Sequence, residues 1–237
     1  MQTFLSNTKR LTITGCDNVC LQCHFNIDVY RDELFNEFNI LFPESLAKAV
    51  PKRKAEFLAG RIIAREIMKI MAIPMVDIPI GIHRAPHWPK GVAGSISHSS
   101  NQVFCLLSNN KNGIGIDYEK FISAKNAADI QHSIVNKKEV SLFREITFDF
   151  NKALTLAFSA KESLFKALYF SVGKYFDFLD VTIISFQDKS SDNSSSLLSL
   201  TLELNIDLNE NISKGRTFKI FYQWQDAGVL SFMSANV

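Results

Sequence analysis

The stretch GIGIDYEKF at residues 113–121 alternates apolar and small or charged residues, a pattern that predicts a β-strand. Ile114, Ile116 and Tyr118 share one face of that strand, and Gly115, Asp117 and Glu119 share the other. Acids are costly to bury unless a cation or a set of donors compensates them. A carboxylate pair two residues apart is one that Mg²⁺ accepts, together with waters and phosphate oxygens. Glycine at 115 leaves room beside Asp117 for a ligand to approach the backbone. Taken alone, a D-x-E pair at a strand end is also an ordinary solvated pair.

A second stretch, FSAKESLFK at 158–166, lies in a helix expected over 152–170, with Leu154, Ala157, Phe158, Phe165, Leu168 and Tyr169 at helical spacing. Glu162 and Lys166 stand one turn apart, in the favourable order for an ion pair. Ser159 and Glu162 also match a capping box, although the apolar periodicity runs through Ser159 rather than starting after it. Three acids in apolar surroundings point to a hard metal ion. A third stretch, GSISHS at 94–99, supplies hydroxyls and an imidazole that can bond phosphate oxygens, with a core histidine as the plain alternative. It is not a nucleophile elbow, because Ser99 stands where G-x-S-x-G requires glycine. A serine hydrolase is disfavoured, and an enzyme that handles a phosphate is indicated.

Working outward, residues 52–71 read as a helix whose basic residues Lys52, Arg53, Lys54, Arg61, Arg65 and Lys69 form a solvated face. Pro74 and Pro79 stop it. Residues 80–94 are loop-like. Strands are expected at 95–97, 102–108, 113–119, 180–186, 197–206, 217–224 and 229–234, and a helix at 125–145. Turns are expected at 109–113 and in the Ser-rich tract 189–196. The opening fifty residues mix short strands with the segment RDELFNEFNILF. Successive helix-plus-strand halves suit an α+β fold of two packed subdomains.

With 46% hydrophobic residues in 237, the chain can build a sizeable core. A net charge of +2 gives no general case for nucleic acid, so any anion site must be local. There is no apolar run of signal-peptide or bilayer length. Four cysteines do not make a disulfide scaffold, so reduced thiols and a cytoplasmic location are expected. Cys20, Cys23 and His24 match the haem-attachment pattern C-x-x-C-H, but that chemistry needs an oxidising compartment. The favoured reading is a strand, with Cys23, Phe25 and Ile27 on one face.

GSISHS, GIGIDYEKF and FSAKESLFK, in that order, resemble the signature of the larger, monomeric type of 4′-phosphopantetheinyl transferase. RKAEFLAGR at 53–61, RAPHWP at 84–89 and LTLAFSAKES at 154–163 resemble the enterobactin-synthetase subgroup of that family. The resemblance implies an α/β pseudo-dimer, two similar subdomains at 1–115 and 116–237 with the active site in the cleft between them. The first subdomain is expected to bind the coenzyme A nucleotide, and the second to carry the metal site and catalytic helix. It implies that Asp117, Glu119 and Glu162 hold Mg²⁺ against the diphosphate of coenzyme A, and that Ser97 and His98 contact its phosphates. Lys166 would contact the diphosphate, while Arg53, Arg61 and Arg84, with His83 nearby, would bind the 3′-phosphate end. Glu162, Lys166 and His98 are the implied catalytic residues, Glu162 as the base. The implied reaction moves phosphopantetheine onto a serine of an acyl, peptidyl or aryl carrier protein, releasing 3′,5′-ADP, in siderophore or other nonribosomal peptide synthesis. A non-catalytic coenzyme A-binding module is the alternative. The carrier is expected to meet an apolar surface to which Phe143, Phe148 and Phe150 contribute, and Cys105 has no assigned role.

Overall fold

The computed structural model describes residues 3–13, 18–109, 113–145, 149–187 and 198–235. The chain divides into two compact units, Met1–Lys111 and Asn112–Val237. The division falls just ahead of the strand Gly113–Lys120, which the expected boundary at 115/116 would cut. Each unit sets a long helix against an antiparallel sheet, the mixed α+β architecture expected from the sequence.

The first unit contains β1 (Leu5–Leu11), β2 (Val19–Phe25), α1 (Leu34–Glu37), α2 (Pro51–Ile70), β3 (Ala93–Ser99) and β4 (Gln102–Ser108). Its sheet has the order β1-β2-β4-β3. Pro51 starts α2 because its fixed φ suits a first helical position and its missing N–H costs nothing there. Ala55, Leu58, Ala59, Ile62, Ile63 and Ile67 of α2 are buried and join Leu21, Cys23, Val103 and Cys105 in one core. Gly60 allows the close approach, since a Cβ there would stand 3.1 Å from Ile96 Cγ2. Gly94 does the same for Trp88, whose ring fills the place of a side chain at 94.

Two expectations change in this unit. The basic face of α2 is not uniformly solvated: Arg61 is only 6% exposed. Its Nε donates to Ile78 O at 2.7 Å and its guanidinium lies 4.2 Å from the Phe57 ring. Burial draws its pKa down to about 10, a cost that the carbonyl and the ring offset. The C-x-x-C-H pattern lies inside β2, so alternation sends Cys20 and Cys23 to opposite faces, both fully buried. Two thiols so arranged do not grip one porphyrin edge. Ile27 falls beyond the strand, in the 3-10 turn Ile27–Val29 that Asn26 caps.

The second unit contains β5 (Gly113–Lys120), α3 (Ala124–Ile134), α4 (Lys137–Glu145), α5 (Phe150–Val172), β6 (Val181–Gln187), β7 (Leu198–Leu204), β8 (Thr217–Gln225) and β9 (Gly228–Ala235). Its sheet has the order β5-β9-β8-β7-β6, so the first strand pairs with the last. The single helix expected over 125–145 is two. Val135 is extended, and the Asn136 side chain accepts from the N–H groups of Lys138 and Glu139, starting α4 afresh. Asp149 caps α5 at one end and Gly173, at φ 67°, closes it at the other. Phe143 is 3% exposed and packs against Phe150 and Phe186, so it is a core residue and no part of a docking surface. Phe148, the Ser-rich tract and most of the 109–113 turn lie outside the described residues. No helix among the described residues is long and apolar enough to cross a membrane.

Candidate functional site

In the second unit the strand alternation holds: Ile114, Ile116 and Tyr118 are buried, and Asp117, on the other face, is 3% exposed. What lies beside Asp117 differs from expectation. A Cβ at Gly115 would stand 1.8 Å from Ser163 O, so the space there is filled by the backbone of α5 rather than left for a ligand. The helix comes this close because its facing residues are small and polar. Ser159 Oγ donates to Asp117 O at 3.1 Å and lies 2.8 Å from Ser231 Oγ of β9. Ser163 Oγ donates to Ser231 O at 3.1 Å and lies 2.7 Å from Ser231 Oγ. Ser159 therefore sits in mid-helix, which removes the capping-box reading and leaves Glu162 without that role.

Lys166 reaches across to the strand instead of pairing with Glu162. Its Nζ donates to Asp117 Oδ1 at 2.6 Å and to Ile116 O at 3.2 Å. Burial and the neighbouring Asp117 charge push Glu119 up to about 8, a rise that Lys166 opposes and Glu162 adds to. Burial raises Glu162 as well, with Lys166 opposing and Asp117 adding. Burial pulls Lys166 down, but the Asp117 and Glu162 charges outweigh it and hold the ammonium charged. The three acids thus share one electrostatic environment, with one lysine among them.

Among the described residues, no three His, Cys, Asp or Glu side chains already converge as a metal-binding group. The donor chemistry nonetheless fits a hard divalent cation: the acids supply only oxygen, and their mutual repulsion is what a second positive charge would relieve.

One buried pair escaped the sequence reading. Lys161 Nζ bonds Glu139 Oε1 at 2.7 Å, Ile134 O at 2.8 Å and Phe178 O at 3.0 Å. The Glu139 carboxylate also accepts from Asn136 N and Ile183 N. Lys161 precedes Glu162, and the pair ties α5 to α4 and β6. A signal existed, because Lys161 shares the core stripe of α5 with Leu154, Ala157, Leu164 and Leu168.

The first unit holds the remaining candidates. Strand and helix run opposite ways here, and two strand residues span about as far as four helical ones. With Ile96 at Gly60, His98 therefore meets the first turns of α2. Arg53 Nη1 lies 2.9 Å from His98 Nε2. Glu56 Oε2 stands 3.6 Å from Arg53 Nη1 and 3.5 Å from His98 Nδ1. Glu56 was not foreseen; the signal was its i,i+3 spacing from Arg53. Ser97 is buried on the other face of β3, away from this group. Arg84 is exposed in the turn Ile82–Arg84, where His83 and Arg84 have positive φ, and Arg61 faces Ile78.

A family model described as the 4′-phosphopantetheinyl transferase N-terminal domain matches residues 42–108. A second, described as the 4′-phosphopantetheinyl transferase superfamily, matches residues 113–215, and together they cover well over half of the chain. The chain belongs to the 4′-phosphopantetheinyl transferase superfamily. Enterobactin synthase component D of Escherichia coli (strain K12) is 40% identical over 141 residues, 60% of this chain and 66% of that protein. The protein of that name from Salmonella typhi is 39% identical over 136 residues, 56% of this chain and 57% of the relative. 4′-Phosphopantetheinyl transferase Svp of Streptomyces mobaraensis is 31% identical over 159 residues, 63% of each. This phosphopantetheinyl transferase superfamily member thus spans 57% to 66% of the length of the two enterobactin synthase relatives.

Proposed function

We propose that this chain transfers 4′-phosphopantetheine from coenzyme A to a serine of an acyl, peptidyl or aryl carrier protein, with 3′,5′-ADP leaving. The observation that supports it best is the set of three acids around Lys166, drawn from β5 and α5, in a member of this superfamily. Asp117, Glu119 and Glu162 would hold Mg²⁺, which when bound supplies charge neutralisation for a diphosphate. Glu162 would take the proton of the acceptor hydroxyl; burial raises its pKa above the ordinary carboxylate range, which makes it a stronger base. Lys166 offers N–H donors to the diphosphate as charge grows on it. Arg53 and His98 would bind the phosphates of the nucleotide portion, and Ser97, Arg61 and Arg84 are assigned to the same ligand. The first unit would thus hold the nucleotide, and the second the metal and the catalytic helix. We place the protein in siderophore or related nonribosomal peptide synthesis, because relatives carry the name enterobactin synthase component D. We also read it as a monomer of the cytoplasm, where the buried thiols Cys20, Cys23 and Cys105 would stay reduced.

The test is incubation with coenzyme A, Mg²⁺ and a panel of carrier proteins, read by intact mass. A carrier should gain one phosphopantetheine group, and the Asp117→Ala variant should add none while keeping its circular dichroism spectrum. Coenzyme A binding without mass gain on any carrier would instead mark a non-catalytic binding module.

A further inference from the structure

An arginine has N–H donors and no acceptor. At 2.9 Å from Arg53 Nη1, His98 Nε2 can only be the acceptor of that bond, the arrangement of a ring that carries its proton on Nδ1. Nδ1 is the nitrogen that stands 3.5 Å from Glu56 Oε2. From α2, Arg53 and Glu56 are set against the ring. β4, its strand neighbour, brings Val103 and Gln102 to this end of β3, and neither titrates. A carboxylate with a side chain only 13% exposed, beside two groups assigned to a phosphate, opposes an incoming anion unless it serves another purpose.

We propose that Glu56 is a positioning residue that makes His98 take up a proton when a phosphate-bearing nucleotide binds; this rests on the nucleotide reading given under Proposed function. An arriving phosphate oxygen takes the Arg53 N–H that Nε2 had accepted. Nε2 and the phosphate are then two acceptors facing each other. A proton from the buffer acid adds to the Nε2 lone pair, and the buffer keeps the bonding electrons as its conjugate base. The ring becomes an imidazolium, with Nε2–H turned to the phosphate and Nδ1–H to Glu56. Glu56 stabilises that cation and holds the ring plane.

The test is titration calorimetry of the full chain with 3′,5′-ADP at pH 7.5, in buffers of differing ionisation enthalpy. At that pH an ordinary imidazole is about one-tenth protonated, and a phosphate monoester is almost fully ionised. The wild type should take up roughly half a proton or more per nucleotide. Glu56→Gln should take up almost none and bind at least about twofold more weakly, the factor by which half-protonation of the bound ring favours the complex at pH 7.5. Glu56→Asp should keep most of the uptake. Equal uptake in wild type and Glu56→Gln, or tighter binding by Glu56→Gln, overturns the proposal; the latter is what a merely repulsive carboxylate gives. A second measurement needs no ligand: nitrogen chemical shifts of His98 in the free protein should report the Nδ1–H tautomer, and an Nε2–H ring also overturns it. The expected tautomer in a protein that does not bind 3′,5′-ADP would locate the failure in the nucleotide reading, and the proposal would fall with it.

Discussion

Replacing Gly115 by alanine places a methyl group where α5 already lies. The added carbon would meet Ser163 O at 1.8 Å, Ser163 C at 2.8 Å and Ala167 N at 3.1 Å. Ordinary contact begins at 3.4 Å, so the helix must retreat by about 1.6 Å, and the obstacle is backbone that cannot rotate aside. Overpacking of this kind costs about 1–3 kcal/mol. The retreat also stretches the Ser159–Asp117 O and Ser163–Ser231 hydrogen bonds, now 2.7 to 3.1 Å, beyond useful length. Each such bond contributes about 1 kcal/mol. The expected loss is therefore about 3–5 kcal/mol, a large share of the stability of one domain. It should appear as a lower urea midpoint with an unchanged slope. Because Lys166 and Asp117 sit on the two parts driven apart, carrier modification should fall as well. A Gly115→Ala protein with a wild-type urea midpoint and wild-type turnover would refute the reasoning.

Lys161→Met leaves the Glu139 carboxylate buried and without its cation, and should cost about 3–5 kcal/mol in urea unfolding; a loss below about 1 kcal/mol would place that pair in contact with water. Glu119, raised to about 8, and Glu162, also raised, bind protons in the folded chain that the unfolded chain releases near 4.5. The Glu119 contribution to stability is thus complete below about 4.5 and is lost as pH climbs through 8, with Glu162 acting in the same direction, so urea midpoints across this window should decline less in Glu119→Gln than in wild type. Mg²⁺ should raise the thermal midpoint more at pH 8.5 than at pH 5.5, since it competes with those protons; equal shifts at both would remove the acids from the metal.

The long elements were legible because their burial is one-sided and periodic. β4 runs over 102–108 as read, and α2 and α5 lie within two residues of their expected ends. The break between α3 and α4 was not legible, because Asn136 acts through a side-chain bond to its own neighbours inside an otherwise helical pattern. Arg61 read as solvated because its partner, Ile78 O, lies in a loop that local periodicity does not see. At Gly115 the alternation was right and the occupant wrong: an absent side chain marks a close approach without naming what approaches. Asp117, Glu119, Glu162 and Lys166 were singled out by pattern and resemblance together, and the fold gathers them in one electrostatic environment. Which acid receives the lysine depended on helix-to-strand distance, and only the fold supplies that.

Lys166 also acts as a tethered counter-ion. Its ammonium is held on the Asp117 carboxylate at an effective concentration far above that of any dissolved salt, so the divalent ion proposed for this site would have to displace or share with a competitor that never diffuses away. Two practical features follow. The protein should stay folded through exhaustive chelation, and the ion should bind far more tightly when it arrives already complexed to a diphosphate, whose oxygens complete its shell and give the displaced ammonium a new anion.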